Sequence, residues 1–194
     1  MRVITLLWGN KSSVGSAWNE QGPLTAFGKE LLSRMLDLGI VPDISHANDT
    51  CAKYILERCR ERKRPAIATH SNSRSVCPHK RNLTDESART TALSGGVIGV
   101  SLYPPHLTTD DKAEISHITA HISHYINLCG SEAVCLGCDF DGIDKTPEGI
   151  SHIGSLPRLY DALSHRFGED TCDSIFFNNA YKFFINNLPR GKSK

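Results

Sequence analysis

The sequence lacks a long hydrophobic run, and it lacks an excess of charge of either sign. The largely apolar stretch at residues 3–8 follows a single arginine and is shorter than a signal-peptide core or a membrane span. With 22 basic and 21 acidic side chains the formal net charge is +1, so no overall field favours nucleic acid or an anionic membrane. We therefore expect no nucleic-acid partner and no membrane partner.

The seven cysteines have no regular spacing, and their number is odd. Scattered cysteines of this kind favour reduced thiols, which predicts a cytoplasmic protein. Cys135 and Cys138 resemble half of a metal or redox motif, but residues three apart on a strand face opposite sides and do not easily chelate. The sequence also lacks repeats, long linkers and low-complexity tracts, so we predict one domain at 1–189 and a polar tail at 190–194.

An alternation of strand-like and helix-like patterns runs through the chain. The strand-like segments are residues 3–8, 41–46, 65–70, 95–102 and 133–139. Each is followed by a helical pattern, with Thr84 as one predicted N-cap and further helices at 157–167 and 171–186. The alternation predicts an α/β fold of parallel βα units. Because parallel barrels use eight such units, about five units predict the C-terminal portion of a (β/α)8 TIM-type barrel.

Five residues close these segments and are the candidates for chemistry: Trp8, His46, His70, Tyr103 and Asp139. In a parallel barrel the active site lies at this end of the strands. A single histidine there is most often an ordinary core or surface residue. Two on neighbouring strands, His46 and His70, instead favour a zinc site built from neutral imidazoles.

Charged groups near these histidines suggest a substrate site. Arg81 follows His70 by eleven residues, and its guanidinium suits a substrate carboxylate; the alternative is a solvated basic loop. Asp139 has a carboxylate that can exchange protons with a reacting group, whereas Asp141 more simply shapes a turn. Three further histidines, His117, His121 and His124, lie beside an apolar helix stripe and are predicted to form a flanking polar face.

The sequence resembles the membrane dipeptidase family, also called the renal dipeptidase family. The matching pieces are "LTAFGKELLSRMLDLGIVPDISH", "PAIATHSNSRSVCPHKRNLTDE", "GGVIGVSLYPP", "CLGCDFDGIDKTPEG" and "FNNAYKFF". The resemblance implies a metallopeptidase that cleaves dipeptides with two zinc ions and a bridging water in a (β/α)8 barrel. It implies that His46 and His70 bind one zinc ion, that Arg81 and Tyr103 contact the substrate, and that Asp139 is catalytic and handles the proton.

The chain also departs from the family pattern. The family's His-x-Asp pair and bridging glutamate precede the segment that begins at Met1, so the chain is expected to supply at most one partial zinc site, with weak zinc binding and poor hydrolysis on its own. Trp8 stands where animal members have a histidine, and an indole only donates one hydrogen bond. The alternative function is a truncated, inactive fragment that acts only as an interaction or assembly piece. Open sheet edges favour association, and the association expected from them is a homo-oligomer.

Overall fold

A computed structural model describes residues 1–187; the predicted tail at 190–194 and the last two residues of the predicted domain lie outside them. Four short strands are parallel: β1 (Val3–Thr5), β2 (Val41–Asp43), β3 (Ile98–Val100) and β4 (Val134–Leu136). β1 pairs with β2, and β3 pairs with β4.

The segment predicted as the middle strand joins the two pairs through single bridges. Ile67 bridges in parallel to Asp43, and Ala68 bridges in parallel to Ile98. Five parallel strand positions therefore follow one another in chain order, and the α/β prediction is confirmed. The strands are shorter than the predicted runs, but buried backbone contacts continue beyond them: Ile44 and Leu102 are fully buried, and their N–H groups donate to the carbonyls of Ile67 and Cys138.

Helices follow the strands and cover the sheet. They are α1 (Ala26–Asp37), α2 (Asp49–Glu61), α3 (Asp85–Leu93), α4 (Pro104–Leu107), α5 (Ile115–Cys129), α6 (Leu156–Phe167), α7 (Glu169–Asp173) and α8 (Asn179–Asn187). A π-helical turn, Ser174–Asn178, joins α7 to α8, so the predicted last helix is interrupted. Within the described residues, none of the helices is both long enough and apolar enough to cross a membrane.

Side-chain caps fix where helices begin near the candidate site. The predicted cap Thr84 accepts a hydrogen bond from the Ser87 backbone N–H at 3.2 Å. Asn48 accepts one from the Cys51 N–H at 2.8 Å. Each cap satisfies a backbone donor that the first helical turn leaves free. Because α2 begins three residues after His46, the Asn48 cap limits the loop that carries this histidine.

The hydrophobic core lies between the sheet and the helices. Ile55 of α2, Ile98 of β3 and Ile118 of α5 are fully buried, and a small second cluster consists of Val41, Ile67 and Phe183. Burying such side chains contributes roughly 1.5–3 kcal/mol each. The apolar layer holds the strands in place, so the polar residues that follow them gather at one edge.

Candidate active site at the carboxyl ends of the strands

The predicted chemical residues lie just beyond the strands. Trp8, His46, Tyr103 and Asp139 each stand three residues after the end of β1, β2, β3 and β4, and His70 follows the bridged segment. Because all five segments are parallel, these positions lie along the same edge of the sheet. The distances between their side chains then decide which of them act together.

His46 and His70 are in direct contact. Their Nε2 atoms are 2.9 Å apart, and their ring centroids are 4.9 Å apart. Burial, aided by the positive charge of Arg81, lowers the pKa of His46 to about 3 and also lowers the pKa of His70. Both rings are therefore neutral near pH 7 and carry lone pairs, which is the form in which imidazole binds metals.

The spacing of the two rings is close to that of two ligands on one cation. Nδ1 of His46 is buried without a hydrogen-bond partner of good geometry, although the backbone of Trp8 is near enough to raise the pKa of the ring. Zinc–nitrogen bonds of 2.0–2.1 Å place two tetrahedral ligands roughly 3.3 Å apart, a little more than the observed 2.9 Å. The two imidazoles thus fit adjacent positions on one zinc ion.

Asp139 lies at the edge of this pair. Its Oδ2 is 4.0 Å from Nε2 of His70, and the Gly142 N–H donates to its backbone carbonyl at 2.9 Å. Both Asp139 and His46 have left-handed backbone, with φ values of 67° and 71°. Strained conformations of this kind collect at functional sites. Within residues 1–187, no group of three or more His, Cys, Asp or Glu side chains is close enough to hold a metal ion.

Arg81 is a buried cation without a carboxylate partner among residues 1–187. Its side chain is 3 % exposed and donates to Ser71 Oγ at 2.8 Å and to the His70 carbonyl at 3.0 Å. Its Nε has no partner. Burial lowers the pKa of Arg81 to about 10, against the opposing charges of Asp43 and Asp139. A guanidinium with a free donor beside the histidine pair is suited to an anionic group.

Aromatic rings continue the surface beside Arg81. The Tyr103 ring meets His106 with centroids 4.8 Å apart, and His106 meets His79 at 4.7 Å. Burial is the main cause of the lowered pKa values of His79 and His106, the latter to about 3. Sequence reasoning missed these two residues as part of the site. The available signals were His79 two positions before Arg81 and His106 three positions after Tyr103.

The buried position of His121 differs from the sequence prediction. His121 is fully buried, not part of a flanking polar face: Nδ1 accepts from the Ser73 N–H at 3.1 Å, and Nε2 donates to the Leu107 carbonyl at 3.0 Å.

Trp8, another of the residues that follow the strands, is 77 % exposed. A cavity of about 570 Å³ opens near Gly95, Gly96 and Ala133, before β3 and β4 and so away from the histidines; the clustered polar side chains, not cavity size, mark the site.

Comparison with known proteins identifies the family. The sequence profile described as "Membrane dipeptidase (Peptidase family M19)" matches residues 1–187. An "Uncharacterized protein in pqqA 5'region" of Klebsiella pneumoniae is 35% identical over 192 residues, which cover 92% of this chain and 69% of that protein. "Dipeptidase 3" of Rattus norvegicus is 32% identical over 162 residues, 83% of this chain but 33% of the rat protein.

Solved structures agree with the sequence matches. The structure described as "dipeptidase AC, Metallo peptidase" superposes with a TM-score of 0.89 at 26% identity, over 97% of this chain and 58% of that one. A metallo peptidase from Rhodobacter sphaeroides, "liganded with phosphinate mimic of dipeptide L-Ala-D-Ala", gives the same TM-score and identity over 97% and 56%. The chain thus spans little more than half of these two proteins, and it belongs to the membrane dipeptidase family, peptidase family M19.

Proposed function

We propose that the chain contributes to the hydrolysis of dipeptides in a zinc-dependent metallopeptidase of this family. The observation that carries the proposal is the contact between His46 and His70, with Nε2 atoms 2.9 Å apart, beside the buried guanidinium of Arg81. The family match and the dipeptide-mimic complex of the Rhodobacter relative support it. These features favour an enzyme over the alternative of an inactive assembly piece.

His46 and His70 would hold one zinc ion, and the Asp139 carboxylate lies near enough to approach it. When bound, zinc activates a water molecule and polarises a carbonyl group. Two zinc ions, as the family resemblance implies, would need donors in addition to these. The chain's own neutral imidazoles supply lone pairs without having to lose a proton near pH 7.

Arg81 would bind the terminal carboxylate of the dipeptide. Two of its nitrogens are held by Ser71 and by the His70 backbone, so the group is oriented before substrate arrives. This preorganisation reduces the entropy lost on binding. Because Arg81 also contacts the backbone of His70, a bound carboxylate would lie close to the metal ligands.

Asp139 would exchange the proton between the attacking water and the leaving amine, a role for a carboxylate within reach of the reacting atoms. Tyr103, half-buried against His106, would also contact the substrate. Burial and the nearby Asp144 raise the pKa of Tyr103. The phenol therefore keeps its proton near pH 7 and can donate a hydrogen bond.

The parallel strand positions in chain order are consistent with an arc of a (β/α)8 barrel, and we extend the fold proposal to that architecture. A cytoplasmic location, the domain limits of 1–189 and a homo-oligomer remain predictions from the sequence. Dipeptides are the proposed partners of the site.

The test is hydrolysis of L-Ala-D-Ala by the 194-residue chain over a range of zinc concentrations, beside zinc titration by calorimetry. We expect weak zinc binding and slow hydrolysis that rises with zinc and is lost in His46→Asn and in His70→Asn. The matched control is His152→Asn, which removes an exposed histidine and should change neither property. Absence of zinc binding, or hydrolysis unaffected by the two substitutions, would refute the proposal.

A further inference from the structure

A buried carboxylate, that of Asp43, lies close to the histidine pair. Asp43 is 1% exposed, and its Oδ1 accepts the backbone N–H groups of Ser45 at 2.9 Å and Thr69 at 3.0 Å. Its Oδ2 lies 2.7 Å from Thr5 Oγ1 and 2.6 Å from Thr69 Oγ1. Each oxygen therefore meets two donors, the pattern of an ionised carboxylate, which can only accept.

Thr69 links this carboxylate to His70. Its Oγ1 is 2.7 Å from Nδ1 of His70, and a threonine hydroxyl has one proton to donate. If that proton goes to Asp43, Nδ1 of His70 must carry a proton and donate it to Thr69. The Ser45 hydroxyl is 3.3 Å from Thr69 Oγ1, so it competes only weakly for the same proton.

This proton order leaves Nε2 of His70 with a free lone pair, directed at His46. In the metal-free chain, Nε2–H of His46 can donate to it across the 2.9 Å contact. In the opposite order, a protonated Asp43 would donate to Thr69 Oγ1, and the Thr69 hydroxyl would donate to Nδ1 of His70. The proton of His70 would then be on Nε2.

The backbone fixes the Thr69 hydroxyl in this position. A Cβ on Gly99 would lie 2.1 Å from the Thr69 carbonyl oxygen, and one on Gly137 would lie 1.9 Å from it, so both glycines allow the chain to pass closely here. The Thr69 N–H is bound to the same carboxylate as the hydroxyl. The β-branched side chain has few alternative rotamers.

We propose that Asp43 and Thr69 are positioning residues that hold His70 in its Nδ1–H tautomer and so present Nε2 as a ready metal ligand. Carboxylate or hydroxyl partners behind metal-binding histidines act in this way elsewhere. The inference rests on the proposed function where it names a metal as the ion that Nε2 binds. The tautomer itself is a property of the chain without metal.

The test is ¹⁵N NMR of the histidine side chains in the metal-free chain near pH 7.5, with the His70 signals assigned by their loss in His70→Asn. We expect the Nδ1–H tautomer in the unaltered chain. Thr69→Val should lose it, and Thr69→Ser should restore it. Asp43→Asn should invert it, because an amide directed at Thr69 would donate and turn the hydroxyl towards Nδ1 of His70.

Thr5→Val is the matched control, since it removes a donor to Asp43 without touching the link to His70, and the tautomer should persist. Zinc affinity, measured by calorimetry, should fall about 10- to 100-fold in Thr69→Val and recover in Thr69→Ser. An Nε2–H tautomer in the unaltered chain would overturn the inference, as would a Thr69→Val chain with unchanged tautomer and zinc affinity. If Thr69→Val fails to fold, the unaltered chain and Thr69→Ser still decide. A chain with the expected tautomer but no zinc-dependent hydrolysis would refute the proposed function alone.

Discussion

Gly137 and the carbonyl oxygen of Thr69 are so close that no side chain fits between them. A Cβ on Gly137 would lie 1.9 Å from that oxygen, and the nearest atom is backbone, which cannot rotate away. The end of β4 therefore packs directly on the segment that carries His70. Stability and site geometry are coupled at this contact.

Gly137→Ala is expected to lower the free energy of unfolding by about 2–3 kcal/mol, as overpacking of a filled interior does. It should also weaken zinc binding, because relief of the clash moves the Thr69 backbone and His70 with it. Urea denaturation and calorimetry measure the two effects. Gly9→Ala is the control, since a Cβ there meets nothing within 4 Å; equal losses in both variants would contradict the argument.

Arg81→Ala is expected to lower kcat/KM for free dipeptides by the equivalent of about 2 to 5 kcal/mol, by analogy with truncated charged pairs at interfaces. The loss should be much smaller for carboxyl-amidated dipeptides, which lack the group that Arg81 binds. Lys80→Ala removes the neighbouring exposed cation and should leave both substrates unaffected. Equal activity of the unaltered chain on free and amidated dipeptides would argue against carboxylate binding by Arg81.

Asp139→Asn is expected to reduce kcat about 10²- to 10⁴-fold, the usual contribution of a positioned acid or base. Zinc affinity should change less, because the His46 and His70 nitrogens remain in place. The control Asp141→Asn alters an exposed carboxylate two residues away and should retain activity. The assay compares kcat at saturating zinc; a fully active Asp139→Asn chain would exclude the proton-transfer role.

His121 should make the stability of the chain depend on pH. Burial lowers its pKa from 6.5 to about 4, so between these values the unfolded chain binds a proton that the folded chain does not. The stabilising contribution is complete above pH 6.5 and is lost as the pH falls towards about 4, by up to roughly 3 kcal/mol. Urea denaturation across this range measures the slope.

His121→Gln should show a shallower decline over the same pH window than the unaltered chain, although its absolute stability will also differ. The exposed His165 of α6 provides the control, and His165→Gln should keep the full decline. If the decline is the same in all three chains, buried His121 is not its source.

Local sequence patterns were sufficient for some parts of the site. His46 and His70 could be placed at neighbouring strand ends because apolar runs end there, and Thr84 could be assigned as a cap from its position before acidic residues. His121 was misjudged because the apolar helix stripe gives no sign that the Ser73 loop covers its other side.

The role of Asp43 required the structure. In the sequence it is a single polar residue within a short strand, and its partner Thr69 lies 26 positions away. Periodicity reports which side of a strand is buried, not which hydroxyl meets which carboxylate. The middle strand was overestimated for the same reason: its apolar pattern marks burial, while only Ile67 and Ala68 form bridges.

The left-handed backbone at His46 and Asp139 lowers stability at two positions that the proposed chemistry requires. Residues with a Cβ pay roughly 1–2 kcal/mol in this conformation, whereas glycine adopts it freely. Laboratory evolution for heat resistance alone should therefore enrich glycine at positions 46 and 139 and erase the proposed chemistry. Retention of histidine and aspartate under such conditions would have to be enforced by selecting for turnover at the same time.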